Sequence, residues 1–261
     1  MRILVLLRMV PDVVEELLIA PDDKSLDAEG LRMILSECDE HALEQALLLK
    51  EKTGAEVIAV AIDAPEVDDA LYQALAKGVD KAFKVQAAGC EVSALVSALL
   101  LERALKNTPG LLPADLILTG VQAISDLDAL VAPLLAETLR MPFLGIVTKV
   151  ALGAGDKTAK VLKEFAGGLH GEYEIDLPAV LGIQAAEKPP RYVPVAKVRA
   201  AMKSQAISTL PEVIAPGELA PGCEVLALRK PEASSHAFML SGSPEAMAEE
   251  LCEALAARGS L

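Results

Sequence analysis

The chain has 261 residues, just over half of them apolar, with only 3% aromatic side chains and no Trp. That length suits one large or two small domains with a substantial core. The formal charge of −14 argues against a nucleic-acid partner and against an anionic membrane surface. Four cysteines, Cys38, Cys90, Cys223 and Cys252, lie far apart with no C-x-x-C and no zinc spacing. Reduced thiols and a cytoplasmic location follow as the expectation. The opening run "MRILVLLR" meets Arg8 and then Pro11. It is too short for a signal peptide or a bilayer span, so it reads as a first buried strand and not as part of an integral membrane protein.

Strand-like and helix-like segments then alternate. "RILVLLR" (2–8) is a continuous apolar run, the pattern of a parallel strand covered on both faces. "DEHALEQALLLKEKTG" (39–54) has helical spacing, an acidic start and a closing Gly54. The spacing predicts strands over 56–62, 81–85 and 114–120, and helices over 66–78, 91–107 and 127–140. Residues 143–152 and 158–165 read as strands joined by a turn at "GAGDK", and 177–183 as another strand. This β-α-β-α order predicts an α/β fold with a doubly wound, mostly parallel sheet through about residue 185.

Beyond that point the composition changes. "EKPPRYVPVAKVRAAMKSQAI" (187–207) holds Pro189, Pro190, Pro194 and five cationic residues, and reads as an exposed excursion. A Pro- and Gly-rich stretch follows, and "SPEAMAEELCEALAARG" (243–259) is an amphipathic helix with a Ser cap and Pro in its first turn. The predicted division is a nucleotide-binding-like domain over 1–185 and an arm over 186–261 that packs on a partner subunit.

One stretch poses the functional question. In "LTGVQAISDLDALVAPLLAE" (118–137) a strand ends at Gly120, a polar loop follows, and a helix begins. Strand, loop and helix N-terminus in that order make a phosphate site. Yet no glycine lies between Gly120 and Pro133. The chain also carries no P-loop and no G-x-G-x-x-G after a strand. His41, His170 and His236 have no Ser, Cys or Asp at a telling spacing, so no catalytic residue is assigned and the chain is not read as an enzyme.

Seven stretches, in order from end to end, resemble the β subunit of electron transfer flavoprotein. "RILVLLRMVPD" resembles "KILVCIKQVPD", and "LSECDEHALEQALLLKEK" resembles "MNPYDEYALEEALRLKE". "EVIAVAI" with "LYQALAKGVDKAFKV" resembles "EVTVVSMGP" with "LRKALAMGADRAILV". "ADLILTGVQAISDLDALVAPLLAETLRMP" resembles "PDLILCGKQAIDGDTGQVGPMLAELLGLP". "KVLKEFAGGLHGEYEIDLPAVLGI" is similar to the family signature region, "EKPPRYVPVAKVRAAMKSQAI" to its recognition loop, and "LSGSPEAMAEELCEALAARG" to its closing helix.

The resemblance implies an adenine nucleotide α-hydrolase-like, Rossmann-like fold without hydrolase chemistry. It implies a heterodimer with an α subunit that shares FAD with this chain. The pair carries electrons from flavin dehydrogenases to an acceptor such as a quinone reductase. It also implies a structural AMP, or a second FAD in bifurcating members, in the β subunit itself. The positions that match nucleotide and flavin contacts are Leu6 and Arg8 after the first strand, Ser36, Cys38 and Asp39 at the first helix, and Ala61 and Ile62 after the second strand. In the loop they are Gly120, Gln122, Ala123, Ile124, Ser125, Asp126, Asp128, Leu130 and Val131. The partner loop supplies Arg191, Tyr192, Val195, Lys197, Val198, Arg199, Met202 and Lys203 as docking contacts.

The departures from the family pattern bear on AMP. Where the family loop has Asp and three glycines, this chain has Ser125, Asp126, Ala129 and Ala132, and Leu130 replaces Gln. Asp126 and Asp128 bring negative charge to where phosphate would sit, and Asp63 adds a third acid near the rim. Ser125, Asp126 or Asp128 capping the helix would leave no need of a nucleotide. Cys38 stands where the family has an aromatic, and reads either as a thiol activated at a helix start or as a small residue in a crowded elbow. A second reading is a nucleotide-binding or scaffold protein derived from this fold, without electron transfer.

Overall fold

The computed structural model describes residues 1–87, 93–153, 155, 157–211, 224–231 and 237–260. By its contacts the chain forms two units, Met1–Leu226 and Ala227–Leu261. The first contains β1 (Arg2–Leu7), β2 (Met9–Pro11), β3 (Met33–Leu35), α1 (Glu37–Thr53), β4 (Glu56–Ile62), α2 (Val67–Lys77), β5 (Lys81–Val85) and α3 (Ala94–Asn107). It continues with β6 (Leu116–Gly120), α4 (Val131–Leu139), β7 (Phe143–Leu152), β8 (Thr158–Phe165), β9 (Leu169–Asp176), β10 (Ala179–Ile183), α5 (Val195–Ser204) and β11 (Ile207–Leu210). The second unit holds α6 (Pro244–Ala257), whose N-terminus is capped by the Ser243 hydroxyl accepting from the Ala246 N–H at 3.3 Å.

Among the described residues nine strands form one sheet in the order β11-β5-β4-β1-β6-β10-β7-β8-β9, and β2 pairs with β3 apart from it. The pairs from β11 through β7 are parallel, while β7–β8 and β8–β9 are antiparallel. Side chains alternate across a strand, so β1 feeds two cores. Ile3, Val5 and Leu7 join the cluster of α1 and α2, whereas Leu4 and Leu6 join the cluster of α3 and α4. This accounts for the unbroken apolar run in the sequence: both faces of β1 are covered. Strand order grows away from β1 in one direction through β4 and β5, and away from β6 in the other through β10 and β7. The carboxyl ends of β1 and β6 therefore flank a topological switch point, where open α/β sheets hold ligands.

The sequence pattern anticipates β4, β5, β7 and β8 to the residue. Other elements differ for identifiable reasons. The expected excursion contains a helix, α5, with one strand after it. Its prolines all precede the helix, and Pro194 sits at the N-cap, where a missing N–H does no harm. Past Pro194 the segment "VAKVRAAMKS" is rich in good helix formers. β11 then pairs in parallel with β5 and extends the sheet, so the contact boundary falls at 226/227 and not where the composition changes. β9 alternates Leu169, Gly171, Tyr173 and Ile175 with His170, Glu172, Glu174 and Asp176, a period-2 pattern that the expected elements did not include; the β8 register and the turn at 166–168 define it. Gly167 and Gly168 take φ of 77° and 74° in that turn, a conformation that favours glycine. The short β2 and β3 are too brief to leave a pattern. The expected helix start at 91 and the residues Cys90, Cys223 and His236 lie outside the described residues.

Candidate functional site

α1 begins beside the end of β6. Asp39, in its first turn, is fully buried and faces two strand ends at once. Its Oδ1 accepts from the Gly120 N–H at 2.6 Å. Its Oδ2 accepts from the Arg8 N–H and from Arg8 Nε, both at 3.1 Å. Gly120 is required by this closeness. A Cβ there would lie 2.6 Å from Asp39 Oδ1 and 2.7 Å from Cys38 Cβ. Arg8 carries the network onward: Nη1 pairs with Asp126 Oδ2, and Nη2 donates to the Gly120 carbonyl at 3.3 Å. Asp126 Oδ1 accepts from the Ala123 N–H at 2.6 Å. One cation thus lies between two carboxylates.

The electrostatics follow from burial and pairing. Burial opposes the Arg8 charge, but Asp39 and Asp126 outweigh it and hold the guanidinium above its ordinary pKa. Burial pushes the Asp39 carboxyl up against the pull of Arg8 and the two backbone donors. Burial likewise pushes Asp126 up, with Asp39 and Asp128 repelling its charge and Arg8 opposing the rise. The Cys38 thiol is also pushed up, by burial first and then by Asp39. Of the two expectations for Cys38, the crowded elbow fits. A thiol held above its usual pKa is not activated.

A cleft of about 400 Å³ opens over these strand ends. Arg8, Ile62, Asp63, Ser125, Asp126, Asp128 and Val131 line it. Ser93 and Ser97, from the start of α3, also line it and were missed. The only signal for them was a serine ahead of an apolar helical run. Beside this cleft a smaller, mostly apolar one of about 240 Å³ is lined by Pro11, Val13, Ser36, Cys38, Gln122, Ala123, Ile124 and Leu127. Leu6 and Ala61 point into the core at 2% and 1% exposure, so their side chains reach neither cleft. Leu130 is exposed at the N-cap of α4.

The expected cap of α4 is not formed by Ser125, Asp126 or Asp128. The N-cap is Leu130, without a side-chain cap bond. Asp126 turns away to Arg8, a partner 118 residues distant, and Asp128 reaches only the Leu130 N–H at 3.4 Å. Long-range charge pairing prevails over local capping here because Arg8 and Asp126 are both largely shielded from water. Ala129 adopts φ 56°, a left-handed conformation, at the position where the family pattern has glycine.

The partner-loop residues lie elsewhere, along the flank of α1. His41 Nδ1 accepts from the Ala186 N–H at 3.2 Å, and Gln45 Oε1 accepts from the Glu187 N–H at 3.2 Å. Arg191 donates through Nε and Nη2 to Glu44 at 2.8–3.1 Å and through Nη1 to Glu51 at 2.6 Å. These helix positions, 41, 44, 45 and 51, share one face by their spacing and hold residues 186–191 against it. Tyr192, Val195, Lys197, Arg199, Met202 and Lys203 are exposed on or before α5, Val198 is half-buried, and Ala201 packs inward. Among the described residues no group of three or more His, Cys, Asp or Glu is placed to hold a metal ion, and no helix is long and apolar enough to cross a membrane.

A doubly wound sheet with its residues gathered at the β1/β6 switch point defines a Rossmann-like α/β protein. A family model described as the electron transfer flavoprotein domain matches residues 24–214. Over 196 residues the chain is 33% identical to electron transfer flavoprotein subunit beta of Methylophilus methylotrophus, covering 74% of this chain and 72% of that one. It is 29% identical to the mitochondrial subunit beta of Arabidopsis thaliana over 94% of this chain and 95% of that one. It is 34% identical to the caffeyl-CoA reductase-Etf complex subunit CarD of Acetobacterium woodii, over 75% of this chain and 72% of that one. The chain belongs to the electron transfer flavoprotein family. Electron transfer as part of a flavoprotein is therefore its role, in place of the scaffold reading.

Proposed function

We propose that this chain is the β-type subunit of an electron transfer flavoprotein and that a separate α subunit closes over its carboxyl-end face with FAD between them. The apolar cleft beside the Arg8 network carries this reading. Val13, Ile124 and Leu127, which line it, are exposed at 58, 53 and 66%. Large apolar side chains gathered at the rim of one cleft mark an interaction surface. The donor set fits one edge of a flavin: Ser36 and Gln122 offer polar contacts, and Cys38, Ile124 and Leu127 offer an apolar wall. FAD, when bound, supplies the electron-accepting and electron-donating chemistry. This chain's residues shield it from water and orient it, and none is assigned a catalytic role.

The functional division keeps residues 1–185 as the nucleotide-binding-like body and 186–261 as the partner-facing part. Arg191 serves as the anchor that sets α5 in place. The exposed Tyr192, Val195, Lys197, Arg199, Met202 and Lys203 then form the docking surface for flavin dehydrogenases. A basic face on an acidic chain steers a partner of opposite charge, so its contribution weakens with salt. The reading includes a cytoplasmic location, in keeping with four scattered cysteines that show no pairing or zinc spacing in the sequence. Co-expression with an electron transfer flavoprotein α subunit tests the reading. A yellow heterodimer with a flavin absorption band is the expected product. A colourless chain that stays apart from α would overturn it.

A further inference from the structure

We propose that Asp126 is a resident anion standing in for the phosphate of a nucleoside monophosphate, so that the cleft over β1, β4 and β6 does not take AMP. The proposal rests on the β-subunit reading for its starting point, a loop that in the family holds such a nucleotide.

The one arginine of the cleft and the Ala123 N–H, donors a phosphate would use, are already engaged. Asp126 Oδ1 takes the Ala123 N–H at 2.6 Å, and Oδ2 takes Arg8 Nη1. Arg8 Nε is on Asp39 at 3.1 Å and Nη2 on the Gly120 carbonyl at 3.3 Å. Every guanidinium nitrogen therefore has a partner. A phosphate would have to displace Asp126 from Arg8 while Asp63 and Asp128, in the same cleft, repelled it. Lys84 Nζ, 3.6 Å from Asp63, offsets part of that acid's charge, so Asp126 and Asp128 carry most of the repulsion.

The loop also closes on itself through its own backbone. The Asp126 N–H returns to the Ala123 carbonyl at 3.0 Å, and the Ala129 N–H to the Asp126 carbonyl at 3.0 Å. The left-handed turn at Ala129 is kept although glycine is gone. A carboxylate built into the chain is present at unit occupancy. It spares the loop the ordering that a dissociable anion would have to drive.

Two measurements decide it. The purified α–β heterodimer is denatured, and released FAD and AMP are quantified by chromatography with mass detection. FAD in stoichiometric amount with AMP at background is expected, and stoichiometric AMP overturns the proposal. A chain that neither binds FAD nor pairs with α counts against the β-subunit reading instead. The isolated full-length chain then decides the proposal through thermal unfolding with and without about 1 mM AMP. The wild-type midpoint stays put. Asp126→Gly lowers the midpoint, and AMP raises it again by refilling the anion position; Asp126→Asn, which keeps an acceptor for Ala123, responds to AMP in the same direction. A wild-type midpoint that climbs by several degrees with AMP overturns the proposal. So does a pair of variants that ignore AMP.

Discussion

Two arginines are tied to α1, and they teach different things. Arg8 sits at the helix N-terminus, shared by Asp39 and Asp126, with its side chain 14% exposed and that of Asp39 at 0%. Arg191 sits on the helix flank, shared by Glu44 and Glu51, with its side chain 30% exposed. The chemistry is the same: one guanidinium and two carboxylates. Burial separates the roles. In the first junction every group is out of water, so removing one leaves another buried and unpaired. In the second, Glu44 is buried at 4% exposure but water reaches Glu51 and part of Arg191, so that junction fixes where residues 186–191 run and its loss is cushioned.

The sharpest break of this contrast is Asp39→Ala. It leaves Arg8 one carboxylate short and strands the Gly120 N–H, and should cost about 3–5 kcal/mol in urea unfolding. If the loss is no larger than that for Arg191→Ala, burial does not separate the two junctions. Gly120→Ala comes next. Its Cβ would meet Asp39 Oδ1 at 2.6 Å and the Asp39 backbone N at 2.8 Å, and the strain should cost about 1–3 kcal/mol.

Arg191→Ala should cost about 1–2 kcal/mol, because hydrogen bonds to charged groups are lost at a half-exposed site. This junction has a pH signature. Burial works to raise Glu44, but the Arg191 side chain and N–H outweigh it and hold the carboxyl below its ordinary value of 4.5. The unfolded chain therefore binds that proton more readily than the folded one. The stabilisation is present above pH 4.5 and is lost as pH falls through the lowered folded value. Urea midpoints for wild type and Arg191→Ala should differ at neutral pH and converge in acid; a constant gap would show that Glu44 does not carry the effect. The smallest expected change is a gain. Ala129→Gly relieves a left-handed alanine at some loss of unfolded-chain restriction, for a net of about 0.5 kcal/mol of added stability. A loss there would mean that the loop is not strained at this position.

Much of the body was legible. Both faces of β1, β4 and β6 are buried, so their apolar runs stand out, and Gly54 and Gly78 mark helix ends by their left-handed or positive φ. The loop after β6 announced itself by its place between a strand and a helix. The bonding inside it did not. Asp126 offered a local cap for α4, and only the approach of Arg8 from the end of β1 drew it elsewhere. Asp39 read as one of several acids at a helix start, a position usually exposed; its complete burial depends on β6 passing within contact of α1.

The sequence by itself determined most strands and helices of the sheet body, the family, and which loop would lie at the switch point, because periodicity and turn residues act over a few neighbours. Tertiary structure alone decided which carboxylate faces which arginine, where α5 and β11 attach, and whether a loop acid caps a helix or pairs with a distant arginine. Those outcomes depend on distances between segments from 31 to 147 residues apart. The strength of a charge there is set by how much water the fold leaves around it.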